Sequence, residues 1–578
     1  MTPSQFLTLL RADKAYRNQI VHVEHIPSRA ARYAKLARPL NASLAKTLDA
    51  LGVTKFYTHQ ARAINAARDG KDVIVATGTA SGKTLCYNVP VLEAVLADPR
   101  ARALYVFPTK ALTQDQLRTL GELQRHVSKP RFGFGAYDGD TPRDQRTALR
   151  QSAHIVLTNP DMLSVGILPN HHLWQAFFAN LRYVVIDEAH IYRGVFGSQV
   201  ACVLRRLLRI CAHYGRTPQF ILCSATIANP DEHAERLTGR AATVIVDDGA
   251  PRSAKEFALW NPPFVDRTRT ARRSANSEAA NIFAALARSG LRNITFARAR
   301  RSAELILSNA REQLRRSAPS LVEKVRSYRA GYLADDRRAI ERALFDGHLV
   351  GVTATNALEL GIDIGALDAT VLVGYPGTIA SLWQQAGRAG RGVREALTIL
   401  VAEDDPLNQF FMRHPDALFA QAIEHALIHP DNPYILEKHL PCAAHELPLT
   451  SADEQLFGPG FVDAMIRLER MGTLTYERER WYYRGARYPA EDVSLRAASS
   501  RTVKLVHERN PRQLIEVIDG DMVMRRAHEG AIYLHQGESY LVTRLDLRAG
   551  VAYAKPVDVA YYTEPREIGQ TYIVRAHR

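Results

Sequence analysis

Two segments carry residues whose types and spacing suit phosphate chemistry. Thr77-Gly78-Thr79-Ala80-Ser81-Gly82-Lys83-Thr84 follows the apolar run Asp72–Ala76 and opens a helical run at Thr84. A strand, a glycine-bearing loop and a helix N-terminus together make an anion cradle. Backbone N–H groups and the positive end of the helix dipole converge there on phosphate oxygens. Lys83 is placed to reach the β- and γ-phosphates, and the Thr84 hydroxyl to bind Mg²⁺. In the second segment, Tyr183-Val184-Val185-Ile186-Asp187-Glu188-Ala189-His190, an apolar strand delivers two carboxylates at its C-terminal end, where open α/β sheets bind ligands. Asp187 is placed to hold Mg²⁺, and Glu188 to orient and polarise an attacking water. An acidic pair in apolar surroundings is costly without a compensating cation, so the pattern implies a metal.

These residues need a scaffold, and the chain alternates apolar strands with amphipathic helices. The predicted strands are Asp72–Ala76, Ala103–Phe107, Ile155–Thr158, Tyr183–Ile186, Phe220–Ser224 and Thr243–Val246, then Asn293–Phe296, Val325–Tyr328, Leu349–Thr353, Ala369–Val373 and Leu397–Val401. Short continuous apolar runs suit parallel sheets covered by helices on both faces. The fold class is therefore α/β, with two successive units of similar size at 53–250 and 251–405. Between them Arg267, Arg269, Arg272 and Arg273 sit in a basic loop. Residues 1–52 are expected to form a helical extension. Over 406–500, Phe461, Met465 and Leu468 share one helix face, Gly472 can end that helix, and Thr473–Tyr476 with Arg480–Tyr483 alternate as a hairpin. That order is the ending of a winged-helix module, whose hairpin, with Trp481 and Tyr482, is a candidate strand-separating wedge. Over 501–578 short runs, among them Ile532–His535 and Tyr572–Val574, predict a small β-rich, barrel-like module.

Composition narrows the partner. The chain of 578 residues has 75 basic and 60 acidic side chains, a net charge of +15. That balance excludes an acidic solvating protein and favours a polyanion, nucleic acid ahead of an anionic membrane surface. No stretch approaches the ~20 apolar residues of a membrane span, and Met1–Arg17 lacks a signal-peptide core. The five cysteines include no C-x-x-C pair and read as reduced, buried thiols of a cytoplasmic protein, with no zinc site among them.

With these segments in place, the sequence resembles the superfamily 2 helicases of the DEAH-box type. Asp187-Glu188-Ala189-His190 is the box. The strict phosphate-loop pattern has Gly where Thr77 stands, a departure such helicases tolerate. Tyr57-Thr58-His59-Gln60 resembles the adenine-recognition element, in which Gln60 would read the base edge with Tyr57 packed near it. Pro108-Thr109-Lys110-Ala111-Leu112 and Thr158-Asn159-Pro160-Asp161 resemble strand-contact motifs, Ser224-Ala225-Thr226 the coupling motif. The stretch from Thr353 through Thr355, Gly361 and Asp363, and Gln384-Gln385-Ala386-Gly387-Arg388-Ala389-Gly390-Arg391, resemble the fifth and sixth motifs.

The resemblance implies two tandem RecA-like domains that bind ATP and Mg²⁺ in the cleft between them. The implied nucleotide contacts are Tyr57, Gln60, the loop Thr77–Thr84, Gly361, Asp363 and Gln384. Arg388 and Arg391 would be fingers that stabilise the transferring phosphoryl group. Thr109, Lys110, Thr158 and Thr355 would hold a nucleic-acid backbone. His190 would couple the box to Gln384 or to Ser224 and Thr226.

A narrower resemblance, to the MrfA (YprA) group of repair helicases related to the HRQ-type and RecQ-like enzymes, rests on Ser381–Arg391, Asn432-Pro433-Tyr434 and Ile532–Tyr540. It implies a 3′-to-5′ translocase on single-stranded or tailed DNA, nucleoid-associated and active in repair. That group usually continues into a four-cysteine zinc domain. Here only Cys442 lies beyond Cys223, which implies a chain shortened before that domain. A DEAH-type RNA helicase and a non-catalytic nucleic-acid scaffold are the alternatives. The presence of Lys83, Asp187, Glu188, Arg388 and Arg391 together argues against the scaffold.

Overall fold

A computed structural model describes the chain apart from residues 128–130, 267, 269, 270, 330, 362–364, 391–393, 497–501, 536, 537, 560, 562 and 564–578. Asp363, Arg391, Arg267, Arg269 and the predicted strand Tyr572–Val574 lie outside the described residues.

The first unit is a seven-stranded sheet in the order Thr243–Ile245, Val73–Ala76, Gln219–Ser224, Leu181–Ile186, Arg102–Val106, Ile155–Thr158, Phe134–Ala136. All its neighbours are parallel. Val73–Ala76 and Ile155–Thr158 are buried along their whole length, because helices cover both faces. Ala76 lies opposite Ser224, and Leu222 opposite Ile186. The register therefore sets the ends of three neighbouring strands side by side, and those ends carry the phosphate loop, the coupling motif and the acidic box.

The second unit is also a seven-stranded sheet, ordered Ile20–Ile26, Lys255–Trp260, Ala396–Val401, Ala369–Val373, Asn293–Ala297, Gly351–Ala354, Val325–Tyr328. Only the first pairing is antiparallel. This corrects the expectation of a helical extension over 1–52. Helices occur at Pro3–Ala12 and Ala42–Ala50, but Ile20–Ile26 is an edge strand of the second sheet, and Phe6 and Leu7 sit in that sheet's core beside Trp260 and Ala280. Over residues 20–260 the chain thus crosses from the second sheet to the first and back. The crossings pair with each other: Arg29 N donates to Arg252 O at 2.8 Å, Arg252 N to Arg29 O at 2.9 Å, and Arg32 N to Gly249 O at 2.8 Å.

The winged-helix module comprises Pro433–Glu446, Phe461–Arg470 and the hairpin Leu474–Glu477/Arg480–Tyr483. Phe461, Met465 and Leu468 are buried on one face, and Gly472 follows the helix at φ +70°. Trp481 packs edge-on against Phe461 and beside Tyr476, so its ring belongs to this core. The module is fixed to the first unit. Arg206 and Glu446 form an ion pair with neither side chain exposed, and Arg209 pairs with Asp453 at 2.6 Å.

Among the described residues, the C-terminal module is an open five-stranded sheet, Asn510–Asp519, Thr502–His507, Val551–Val557, Glu538–Asp546, Ile532–His535, rather than a closed barrel. It is fixed to the second unit through Arg329, which lies 3.0 Å from Glu516 and 3.2 Å from Glu304, all three buried. A Cβ on Gly331 would lie 1.9 Å from Glu516 Oε1, so only glycine admits that carboxylate.

Candidate active site

The phosphate loop is held from behind by the segment that precedes it. Gln60 Oε1 accepts from Tyr57 N at 2.9 Å, and Gln60 Nε2 donates to Gly82 O at 2.9 Å. Gln60 is therefore buried against the loop and braces its backbone. His59 Nδ1 accepts from Gly249 N at 3.2 Å, which leaves Nε2 to donate to Ser81 O at 2.9 Å. Burial keeps this imidazole below its ordinary pKa. Tyr57 stacks on Tyr33. The Thr77 and Ser81 hydroxyls are 2.8 Å apart. Gly82 has φ +75°, and a Cβ there would meet Gln60 Nε2 at 2.6 Å. Lys83 Nζ curls over the loop and donates to Thr77 O at 3.0 Å and Gly78 O at 2.7 Å. Those carbonyls stand in for acceptors that phosphate oxygens would replace.

Asp187 lies at the next-but-one strand end. Burial, then the neighbouring Glu188, raises its pKa. Tyr87 Oη lies 3.1 Å from Asp187 Oδ2 and 2.9 Å from Gln116 Oε1. Tyr87 donates to Asp187, and the Gln116 side-chain amide packs against the same phenolic oxygen. Asp187 with the Thr84 hydroxyl is a hard-oxygen set of the kind Mg²⁺ takes.

Glu188 sits at φ +51°, a left-handed conformation rare outside glycine. Its Oε1 accepts from Gly361 N of the second unit at 3.2 Å, and a Cβ on Gly361 would come within 2.6 Å of it. His190 completes the link. Nδ1 accepts from Ala225 N at 3.1 Å, and Nε2 lies 2.5 Å from the Gln384 amide. Both ring nitrogens cannot accept, so Nε2 carries the proton and meets the amide oxygen. Burial lowers this pKa to about 4 and keeps the ring neutral. His190 thereby joins the box, the coupling motif and the sixth motif at once. Gly387 lies directly on the phosphate loop, where a Cβ would meet Thr79 Oγ1 at 2.2 Å. Between these walls lies a cavity of about 370 Å³, lined by Thr77, Gly78, Thr79, Ala80, Thr226 and Gln384 among others.

Other sequence-predicted residues fall elsewhere. Arg388 is 1% exposed, and its Nε donates to Glu359 O at 3.1 Å. Here it braces the fifth-motif segment, in place of the expected projection towards phosphate. Thr158 is wholly buried with its hydroxyl donated to Tyr137 O at 2.8 Å, so it secures a strand end instead of facing a ligand. Thr355 is also buried. Ser224 Oγ donates to Ala225 O at 2.6 Å. Thr109 caps the helix Lys110–His126, and Lys110 pairs with Asp140 at 2.7 Å on the surface.

Residues 57–233 match the DEAD/DEAH box helicase family, 279–393 the helicase conserved C-terminal domain, and 428–498 the winged helix domain of the ATP-dependent helicase HRQ1. The ATP-dependent helicase YprA of Bacillus subtilis is 43% identical over 96% of this chain and 74% of its own length. The ATP-dependent helicase hrq1 of Schizosaccharomyces pombe is 37% identical over 99% of this chain, which spans only 55% of that protein. The DUF1998 helicase MrfA bound to DNA and AMPPNP superposes with a TM-score of 0.92, at 42% identity, over 99% of this chain and 79% of that one.

The chain belongs to the YprA/HRQ1 family of ATP-dependent helicases.

This helicase has two RecA-like domains, and the cavity lies in the cleft between them. Two supports of the cleft, Tyr87 and Gln116, escape motif reading, and two others, Gly387 and Glu359, lie inside motifs that assign them no role. Tyr87 and Gln116 hold Asp187, Gly387 lets the domains approach, and Glu359 takes both Arg388 and the amide of Gln385, the latter at 2.8 Å. Tyr87 follows Thr84 by three residues on one helix face, a spacing that signals contact with the same site. Glu359 lies within the fifth-motif stretch, which gives it no role of its own.

Proposed function

We propose that this helicase is an Mg²⁺-dependent DNA translocase that moves 3′ to 5′ and acts in DNA repair. The observation that carries a coupled motor is the His190 bridge, which joins the box of one domain to Gln384 of the other. Thr84 and Asp187 would hold Mg²⁺, which would supply charge neutralisation at the phosphates. Lys83 leaves its loop carbonyls for phosphate oxygens. Glu188, held in its left-handed turn, orients the attacking water and takes its proton. With the domains closed around ATP, the sixth motif stays against the phosphate loop, where Gly387 meets Thr79. Thr109 and Lys110, at the half-buried start of a helix of the first domain, are the contacts offered to the strand backbone. Such contacts position the strand and do not read its sequence. A nucleic-acid polymer is supported by the basic excess, and DNA by the DNA-bound state of MrfA.

The test is ATP turnover with single-stranded DNA, single-stranded RNA or no polymer, at low and physiological salt. Stimulation by DNA, weakening steeply with salt, is expected. Stimulation by RNA alone would replace this reading with that of an RNA helicase.

A further inference from the structure

Beyond the second RecA-like domain, the chain returns across the first as an extended ribbon. Ala426, Ile428 and Pro430 are buried while His425, Leu427 and His429 face outward. The ribbon is stitched to the helix that follows the box and to the loop that follows the coupling motif. Ala228 N donates to Glu424 O at 3.4 Å, Ala426 N to Asn229 Oδ1 at 2.8 Å, Gly194 N to Leu427 O at 2.7 Å, and His429 N to Ser198 Oγ at 2.9 Å. The His233 ring lies between Ala426 O and Ala189 O of the box, at 3.0 and 2.9 Å.

From this ribbon one side chain reaches back to the other domain. Glu424 Oε1 accepts from Ile379 N at 2.5 Å, and Oε2 from Ala380 N at 3.1 Å. These are the first two N–H groups of the helix Ile379–Ala386, which carries Gln384 and leads into Gly387 and Arg388. The third is taken by the Thr378 hydroxyl. A carboxylate that accepts from two helix N–H groups satisfies them and complements the helix dipole. Its own backbone, however, is anchored to the opposite domain.

We propose that Glu424 is a positioning residue for ATP hydrolysis: anchored beside the coupling motif, it holds the sixth-motif helix in register with the box of the first domain. The inference rests on hydrolysis in the cleft. Wild-type turnover therefore tests that reading, and the ratio of variant to wild type tests this one. Glu424 touches no phosphate-loop residue, so ATP binding to the first domain should persist without it. What is lost is the orientation of the helix that meets His190 and Thr79, and small misplacements of such groups cost rate.

The experiment is steady-state turnover of the full chain with saturating polymer for Glu424→Ala, Gln384→Ala and the double variant. Glu424→Ala should lower kcat about tenfold and change the KM for ATP less than about twofold. The double variant should fall little below the worse single one, because both act through one helix. Glu424→Gln, which keeps one acceptor oxygen, should recover part of the loss, and it carries the same comparison if Glu424→Ala does not fold. An unchanged kcat in the variant that folds, or a double loss equal to the product of the single losses, would overturn the proposal.

Discussion

At the scale of single residues, the site is built from groups whose charge or conformation is unfavourable in isolation. Glu188 is held at a positive φ where its carboxylate faces both His190 and Gly361. Glu188→Gln keeps the shape and removes the proton acceptor. ATP binding should survive while kcat falls about 10²–10³-fold, the range for loss of one preorganised catalytic group; nucleotide titration alongside turnover checks it, and lost binding would assign Glu188 a structural role. His190 offers a second measurement. The unfolded chain takes up a proton near 6.5, but the buried ring resists until about 4. Its contribution is thus complete above about pH 6.5 and is lost progressively as pH falls towards 4. At pH 5.5 the loss is about 1 kcal/mol for this residue alone. His59, His233 and His439 are lowered by burial in the same direction. Urea unfolding should show stability falling from pH 7.5 to 5.5, with a shallower fall in His190→Gln.

At the scale of elements, what the sequence made legible was local. Strands such as Tyr183–Ile186 and Ala369–Val373 are continuous apolar runs because helices cover both faces, and the loops at their ends carry their chemistry within a few residues. Ile20–Ile26 was not legible. Its neighbour Lys255–Trp260 is remote in the chain, with His25 and its register partner Glu256 separated by 231 positions, and nothing local names that partner. Thr158 shows the same limit for a side chain: its motif position suggests a ligand contact, while its hydroxyl is claimed by Tyr137 from the neighbouring strand end. The N-terminal helix gives the element-scale prediction. Phe6 is fully buried against the second sheet, so Phe6→Ala should cost about 3–5 kcal/mol, read as a lower urea midpoint. A surface extension would lose almost nothing.

At the scale of the whole molecule, the two accessory modules ride on different RecA-like domains. The winged helix is tied to the first by Arg206–Glu446, and the C-terminal sheet to the second by Arg329 with Glu516 and Glu304. Any hinge motion in the paired crossings therefore moves one module relative to the other. The Arg206–Glu446 tie is accessible to a clean test because its two ends have unequal alternatives. Removing Glu446 leaves a guanidinium buried in a site built for a charge pair, although the Ser164 hydroxyl and carbonyl still accept from it at 2.9 and 3.0 Å. Breaking such a pair from one side costs about 3–5 kcal/mol, whereas replacing both partners by apolar residues of similar size is often neutral. Glu446→Ala should therefore expose the ribbon 420–432 to protease and add an early step to urea unfolding. The double variant Arg206→Met/Glu446→Leu should suppress both effects. If the double variant is as labile as the single one, the charge pair itself fixes the module; if Glu446→Ala is silent, docking rests on Arg209–Asp453 and the apolar contacts around Cys442 and Ala490.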